Sequence, residues 1–516
     1  MTSRAHIISI DLGSGGPKVA LVDSTGGIAA SAARPVATRH IAPGGAEQDP
    51  EEIWSAIADA VREVVREGGR SAGDVAAIGI ASQYFSIVPV ASDGSPVGNL
   101  ILWMDTRGAP HSVAIYGRHA QAFETWVERH GIPPLPSGND SLSHILWLKY
   151  ERPEIYARAT KLLEPMDFVA ARLTGRPTAN PCTVFSMLLT DNRHPDAIDY
   201  DDDLVRMSGV DREKLPELVG KSARLGTVER RVAASLGLSP ETVVFAPVND
   251  TQAVAVGTGS VRGGHAGVNM GTTTAIVAHV PWKRSDLESE IVSMPSPMPG
   301  SYVAMAENGL GARALDAFLR DVVFARDAIA DHATADVFRG VEEAVGTVPS
   351  GSGGLLFLPW LVGSSAPSSN AKARGGFLNL QLGTSRVAMV RSIMEGVAYN
   401  LRWLLPAVER FAEREFDHLR LAGGAALSSQ WCQIVADVTG KPVQQLGDPR
   451  HVINRASAFL AFERLGAVGE RDLDRFCPLA RSFAPRAEAR EIYDRLFTQF
   501  LAAFEQNRPI FESLNS

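Results

Sequence analysis

The sequence predicts an α/β chain made of two similar halves, each opening on a β-hairpin whose turn can hold phosphate. Three observations carry this. The chain begins with "HIISIDLGSGGPKVALVD" (His6 to Asp23), two apolar β-branched runs around an acid-and-glycine turn. About half a chain later, "GVNMGTTTAIVAHV" (Gly267 to Val280) repeats the plan with Gly271 and the hydroxyls of Thr272 to Thr274. Between them strand and helix patterns alternate, as in layered α/β domains.

In the opening stretch, Ile7, Ile8 and Ile10 read as a buried strand, Asp11 to Gly16 as a tight turn, and Val19 to Val22 as the return strand. A dinucleotide fingerprint is excluded, because Lys18 follows Gly13 and Gly15 where a third glycine belongs and a strand follows where a helix belongs. A Walker loop is absent from the chain. Glycines that permit φ > 0 in a hairpin turn explain the stretch on geometry alone. The second turn of the same kind favours phosphate, since two facing turns of backbone N–H and hydroxyl donors clamp a phosphate chain.

"DPEEIWSAIADAVREVVREGG" predicts an amphipathic helix with Asp49 as N-cap, Pro50 at the first helical position and a stop at Gly68-Gly69. "VAAIGIASQYFSIVPV" predicts a strand through Ile80, a polar break at Ser82-Gln83 and a strand from Ile87 to Val90, with a turn at Asp93-Gly94. Residues 109–190 read as mostly helical, with loops at 133–141 and 177–183. "VVFAPVNDTQAVAVGTGS" predicts an apolar strand, Val243 to Val248, that delivers Asn249 and Asp250 to a helix start. Asp250 is there either an N-cap or a general base. "LRLAGGAALSSQWCQIVADVTGKPV" predicts a strand, Leu419 to Ala422, then two glycines that allow close backbone approach, then a helix from Ser428 or Ser429.

Composition sets the class. With 516 residues, 45% hydrophobic and 21% charged, the chain has room for two to four domains with large cores. A formal net charge of −8 without a Lys/Arg run argues against nucleic acid or an anionic membrane as partner. No apolar stretch nears the roughly 20 residues of a membrane span and no signal-like segment opens the sequence, so a cytoplasmic protein is expected. Cys182, Cys432 and Cys477 lie far apart without C-x-x-C spacing and read as packing residues.

The two phosphate turns resemble those of the actin, hexokinase and Hsp70 ATPase superfamily, which implies two duplicated ribonuclease H-like (actin-like ATPase) domains with a cleft between them for ATP. More specifically, the chain resembles the FGGY family of carbohydrate kinases, end to end. Asp11, Gly13, Ser14 and Lys18 look like the family's D-x-G-[ST] motif with its following basic residue, and "AEQDP" (46–50) and "WMDTR" (103–107) look like family landmarks. Asp250 falls on the catalytic aspartate and Gly271, Thr272 and Thr273 on the second phosphate turn. "GLLFLPWLVGSSAP" (354–367), "ARGGFLNL" (373–380), "MEGVAYNLRWLL" (394–405) and the Gly423-Gly424 segment follow the carboxy-terminal pattern.

The resemblance implies an N-terminal sugar-binding domain over 1–254 and a C-terminal nucleotide-binding domain over 255–516. It implies ATP, bound through Asp11, Gly13, Ser14, Lys18, Gly271, Thr272, Thr273, Gly311, Gly423, Gly424 and Ser428, and Mg2+, met by Asp11 through water. Gln83, Tyr84, Phe85, Trp103 and Asp105 would shape the sugar pocket with Asp250 as base. As an aspartate, Asp250 is expected to be ionised at neutral pH and to need positioning more than pKa tuning. The partners implied are a sugar or polyol and ATP, with a homodimer left open.

Departures bear on the substrate. Tyr84-Phe85 stands where xylulose kinases carry Met-His, and it also lacks the Arg-Glu pair of glycerol kinases. Ser365 replaces an arginine, His144 a lysine, and Gly15, Gly16 and Pro17 replace small polar and aliphatic residues. D-xylulose is the best single substrate expectation. Another pentulose, a ribulose- or glycerol-like polyol, or a non-catalytic sensor of the same fold are the alternatives.

Overall fold

The computed structural model describes residues 6–327, 334 and 336–515. In the opening hairpin β1 (His6–Gly13) and β2 (Gly16–Asp23) pair antiparallel with Gly13 opposite Gly16, so that only Ser14 and Gly15 form the turn. The ladder thus runs three residues beyond Ile10, where the sequence reading ended the first strand. Leu12 is the reason: it faces Pro17 in register and is fully buried. At Gly16, φ is +114° and an added Cβ would stand 2.1 Å from the Arg34 carbonyl oxygen, so only glycine fits.

β3 (Ile28–Ala33) follows on β2, and helix α1 (Pro50–Glu67) buries Ile53, Ile57, Val61 and Val64 against these strands. Asp49 caps it by accepting the Glu51 N–H. β4 (Val75–Ser82) runs parallel to β1 and carries the polar end Ser82-Gln83 to the sheet edge. β5 (Arg224–Thr227), β6 (Val243–Phe245) and β7 (Val248–Asn249) complete the first sheet, in the order β5-β6-β4-β1-β2-β3 with β7 also on β4. The single strand expected over 243–248 is split at Ala246-Pro247, because proline offers no N–H to the ladder. Helix α2 (Asp250–Gly257) leaves the end of β7.

The second sheet contains β8 (His265–Met270), β9 (Thr273–Val280), β10 (Ser285–Asp286), β11 (Ile291–Pro295), β12 (Tyr302–Leu310), β13 (His418–Ala422), β14 (Val443–Leu446) and β15 (Leu479–Phe483). Its order is β10-β11-β12-β9-β8-β13-β14-β15. The run β12-β9-β8-β13-β14 repeats β3-β2-β1-β4-β6 in order and direction: two antiparallel pairings, then two parallel ones. The duplication expected from the two hairpins is therefore present in the sheets themselves. Helices α3 (Arg386–Phe411) and α4 (Ser429–Thr439) cover one face of this sheet.

Two helices tie the halves together. α2 starts on the first sheet but buries Val254 and Ala255 against Val277, Met294 and Val303 of the second. In the reverse sense, α5 (Val452–Arg464) comes late in the chain yet packs on β1 and β4. Its Ser457 hydroxyl lies 2.5 Å from that of Ser9, and Asn454 Nδ2 donates to Ser9 Oγ at 3.1 Å and to the Lys18 carbonyl at 3.2 Å. An added Cβ on Gly79 would meet the Ser457 carbonyl at 2.5 Å, so a bare strand position permits this close approach.

Candidate active site

The carboxyl end of β1 brings Asp11 to the cleft, and the hairpin register sets Lys18 directly opposite, its Nζ 2.9 Å from Asp11 Oδ2. Added Cβ atoms on Gly13 and Gly15 would meet nothing within 4 Å, so this turn faces open space. Ser14 is occupied differently from expectation. Its hydroxyl donates to Gln83 Oε1 at 2.6 Å and accepts the Trp103 indole N–H at 2.9 Å, while its carbonyl accepts from Gln48 Nε2 at 2.7 Å. A hydroxyl read as a phosphate donor is thus part of the pocket floor. Gln83 is 4% exposed and its Nε2 has no hydrogen-bond partner. A buried amide donor of this kind costs free energy until a ligand satisfies it.

Tyr84 and Phe85 part company. The Tyr84 hydroxyl accepts from Thr251 Oγ1 at 3.4 Å, and burial together with the Asp250 charge holds its pKa well above the usual value. Phe85, at φ +56°, stacks on Tyr84 with centroids 4.8 Å apart and packs against the apolar cluster of the helical segment. It supports Tyr84 from behind. Asp105 is also engaged elsewhere: its carboxylate accepts from the Arg107 guanidinium and from the Ala46 N–H at 2.9 Å, and it is 1% exposed. Arg107 reaches on to Glu47. This carboxylate fixes the chain around Trp103 and leaves no oxygen edge for a sugar. His144 Nε2 donates to the Asp105 carbonyl at 3.0 Å, and burial lowers its pKa to about 4, so a neutral imidazole stands at the position where a lysine is usual.

Asp250 is the first residue of α2 and is not its cap. Asn249 caps the helix, accepting the Gln252 N–H at 2.8 Å while Gln252 Oε1 accepts the Asn249 N–H at 3.0 Å. The Asp250 carboxylate is therefore free to face the cleft, where it is half-buried. Desolvation, then the nearby Asp11 carboxylate, raise its pKa to about 7. This corrects the expectation of a plainly ionised aspartate: its protonation is balanced near neutrality.

On the second sheet, the turn Gly271-Thr272-Thr273 folds over Gly311. The Gly311 N–H donates to the Thr272 carbonyl at 3.0 Å, and a Cβ on Gly311 would stand 2.7 Å from Thr274 Oγ1. Gly423, at φ +88°, lies against the end of β8, where an added Cβ would come within 2.8 Å of Met270 backbone atoms. A Cβ on Gly424 would meet nothing. Five of the expected nucleotide residues, Gly271, Thr272, Thr273, Gly311 and Gly423, thus lie together, with Gly424 open beside them. Ser428 is the N-cap of α4, accepting the Trp431 N–H at 3.0 Å and donating to Glu342 at 2.5 Å.

Comparison with known proteins gives the arrangement a family. Residues 6–257 match the N-terminal domain, and residues 263–453 the C-terminal domain, of the FGGY family of carbohydrate kinases. The chain belongs to this family. It is accordingly a phosphotransferase acting on a carbohydrate, and FGGY kinases use ATP as a substrate. It is 25% identical to a xylulose kinase of Bacillus subtilis over 521 residues, covering 99% of both chains. It is also 27% identical over 501 residues to a glycerol kinase of Citrifermentans bemidjiense, covering 94% of this chain and 95% of that one. Among solved structures, a xylulose kinase of Lactobacillus acidophilus superposes with a TM-score of 0.84 at 21% identity, covering 99% of each chain. The two FGGY matches meet just after α2, while α5 extends beyond the second match to reach the first sheet. No helix among the described residues is long and apolar enough to cross a membrane, and the three cysteines are buried and unpaired.

Several residues around these side chains escaped sequence reasoning. Gln48 lay inside a noted landmark but without a role. Thr251 and Glu307 carried no motif, although an acid in the otherwise apolar strand "YVAMAENGL" is a visible anomaly.

Proposed function

We propose that this FGGY kinase transfers the γ-phosphoryl group of ATP to a primary hydroxyl of a ketose, with D-xylulose as the first candidate and Asp250 as general base. One observation carries the reading: the Asp250 carboxylate is left free because Asn249 caps α2, and it stands at the strand end beside a buried amide, Gln83, that lacks a partner. Asp250 accepts a hydrogen bond from the sugar hydroxyl and takes its proton. The hydroxyl oxygen then bonds to the γ-phosphorus as the bond to the β-bridging oxygen breaks, and ADP leaves. In this reading residues 1–254 hold the sugar and 255–516 the nucleotide, in a cytoplasmic setting where ATP is supplied.

The hydroxyls of Thr272 and Thr273 suit the phosphates, since the Gly271 and Gly311 N–H groups donate within the turn, and open Gly424 suits close approach by the nucleoside. Among the described residues no group of three or more His, Cys, Asp or Glu side chains could hold a metal ion by itself. Asp11, a hard oxygen donor beside the opening turn, fits Mg2+ carried by the phosphates and met through water. When bound, the ion would neutralise phosphate charge; Lys18 would assist at the same end.

Tyr84-Phe85 and the resemblance to a glycerol kinase support a second reading, a different pentulose or a small polyol as acceptor. ADP release measured with D-xylulose, D-ribulose, a set of hexuloses and glycerol decides between them. A kcat/KM for D-xylulose at least tenfold above the others is the expected result, and no ADP release with any of them would overturn the sugar kinase reading.

A further inference from the structure

One cleft carboxylate has no part in the chemistry described so far. Glu307 lies on β12, where side chains alternate between two faces. Val303 and Met305, on its own face, pack on the apolar surface of α2 around Val254 and Ala255. Glu307 extends that face beyond the packed region, and its charge reaches Asp250, the first residue of α2, and the Tyr84 hydroxyl. In the strand register Glu307 is opposite Ala275, whereas Leu310 is opposite Thr273 at the phosphate turn. A bulge lies between the two pairs, so on β9 only two residues, roughly 7 Å, separate it from the Gly271 turn.

The position of its backbone is fixed, because the Ser365 hydroxyl donates to the Glu307 carbonyl at 2.9 Å. The carboxylate itself makes neither hydrogen bond nor ion pair with any described residue. It is open to the solvent of the cleft. A carboxylate so placed would repel a triphosphate. Hydroxyl groups are what it can accept without that penalty, and on the other wall Gln83 Nε2 is the complementary donor lacking an acceptor.

We propose that Glu307 is a specificity residue supplied by the C-terminal half, whose carboxylate accepts hydrogen bonds from sugar hydroxyls other than the one phosphorylated. This rests on the sugar kinase reading above. It makes substrate selection a property of both walls, so that the sugar bridges the cleft before reaction.

The test compares wild type, Glu307→Gln and Glu307→Ala with D-xylulose and with the best substrate of the panel above, at varied ATP and varied Mg2+. The expected result is a sugar KM raised about 10-fold or more in Glu307→Ala and less in Glu307→Gln, the scale of a lost charge-assisted hydrogen bond. The KM for ATP and the Mg2+ dependence should stay within about twofold. A deoxy analogue lacking the hydroxyl that Glu307 holds should lose affinity with wild type and lose no more with Glu307→Ala. An unchanged sugar KM in both folded variants overturns the proposal, as does a shifted Mg2+ dependence with sugar KM intact. Absence of any active sugar with wild type overturns the kinase reading itself, and Glu307 with it.

Discussion

The Ser14 hydroxyl donates to Gln83 Oε1 at 2.6 Å, joining the opening turn to the floor of the candidate sugar pocket. Because the same oxygen also accepts from the Trp103 indole, its hydrogen-bonding capacity is committed to holding two pocket side chains. The backbone of the turn is then what remains for phosphate. Ser14→Ala should raise the KM for sugar about 3- to 10-fold, the cost of a neutral hydrogen bond or two, and change the KM for ATP less. Steady-state kinetics at varied sugar and varied ATP check this. A larger effect on ATP would return the hydroxyl to a phosphate role.

Asp250 yields a pH prediction as well as a mutational one. Asp250→Asn should lower kcat by ~10²–10⁴ as expected for a lost base. The fold should persist, since Asn249 and Gln252 cap α2 without it. The raised pKa of about 7 means the carboxyl is protonated below neutrality and unable to accept the hydroxyl proton. In wild type, kcat/KM for sugar should therefore fall about tenfold per pH unit on the acid side of that value. Asp11→Asn removes the neighbouring negative charge and should move this limb to lower pH, a shift readable even if overall activity drops. A limb that stays in place would show that Asp11 does not set the value, leaving desolvation and the Glu307 charge.

Much of this was open to sequence reasoning where the cause is local. The hairpins, the Asp49 cap, the Gly68 stop and the Gly423-Gly424 break are each specified by residues within a few positions of one another. The placement of Asp250 at a strand end was local too. Its pKa was not, because it is raised first by burial among segments distant in sequence and then by the charge of Asp11, on a strand some 240 residues earlier. Side-chain partners were equally hidden: Asp105 looked like a pocket acid, yet Arg107, two residues on, takes its carboxylate. The crossing of α2 and α5 between sheets depends on apolar contacts between distant segments, and no periodicity announces which sheet a helix will cover.

Glu164 sits beneath the pocket, fully buried, accepting from Ser141 and Ser186 hydroxyls at 2.5 Å and from the Ser86 N–H at 3.3 Å. Desolvation raises its pKa to about 8. A folded pKa above the unfolded one contributes stability that is complete below the unfolded carboxyl value and is lost as pH rises through about 8. Glu164→Gln, which cannot ionise, should therefore gain on wild type between pH 6 and pH 9. Thermal unfolding at the two pH values measures the difference, and a constant gap in Tm would refute the raised pKa of Glu164.

The paired glycines at the nucleotide side should separate structure from binding. Gly423 has φ +88° and ψ 179°, a region held almost solely by glycine, with backbone on its Cβ side. Gly423→Ala should cost stability by about 1–3 kcal/mol from strain, before any effect on ATP. Gly424 has open space where its side chain would be, so Gly424→Val should fold normally and raise the KM for ATP much more than the KM for sugar. Unfolding curves and kinetics on both variants give the contrast. An unaltered ATP KM in Gly424→Val would remove that residue from the site.

Lys18 bears on closure of the cleft. Its ammonium pairs with Asp11 at 2.9 Å yet remains well exposed, so it has donors left for a phosphate oxygen. The opening turn and the Gly271 turn lie on different sheets, joined through α2 and α5, and in the kinase reading closure of the halves brings both onto one triphosphate. A kinase gains by making that closure depend on sugar, because water would otherwise compete for the γ-phosphoryl group. ATP hydrolysis without sugar should accordingly be slow, and small-angle scattering should show compaction when an active sugar is added. Lys18→Ala should lower kcat/KM for ATP while leaving sugar binding, measured calorimetrically without nucleotide, nearly unchanged. If ATP kinetics are untouched in Lys18→Ala and no active sugar compacts the protein, the glycines of the opening turn serve hairpin geometry alone.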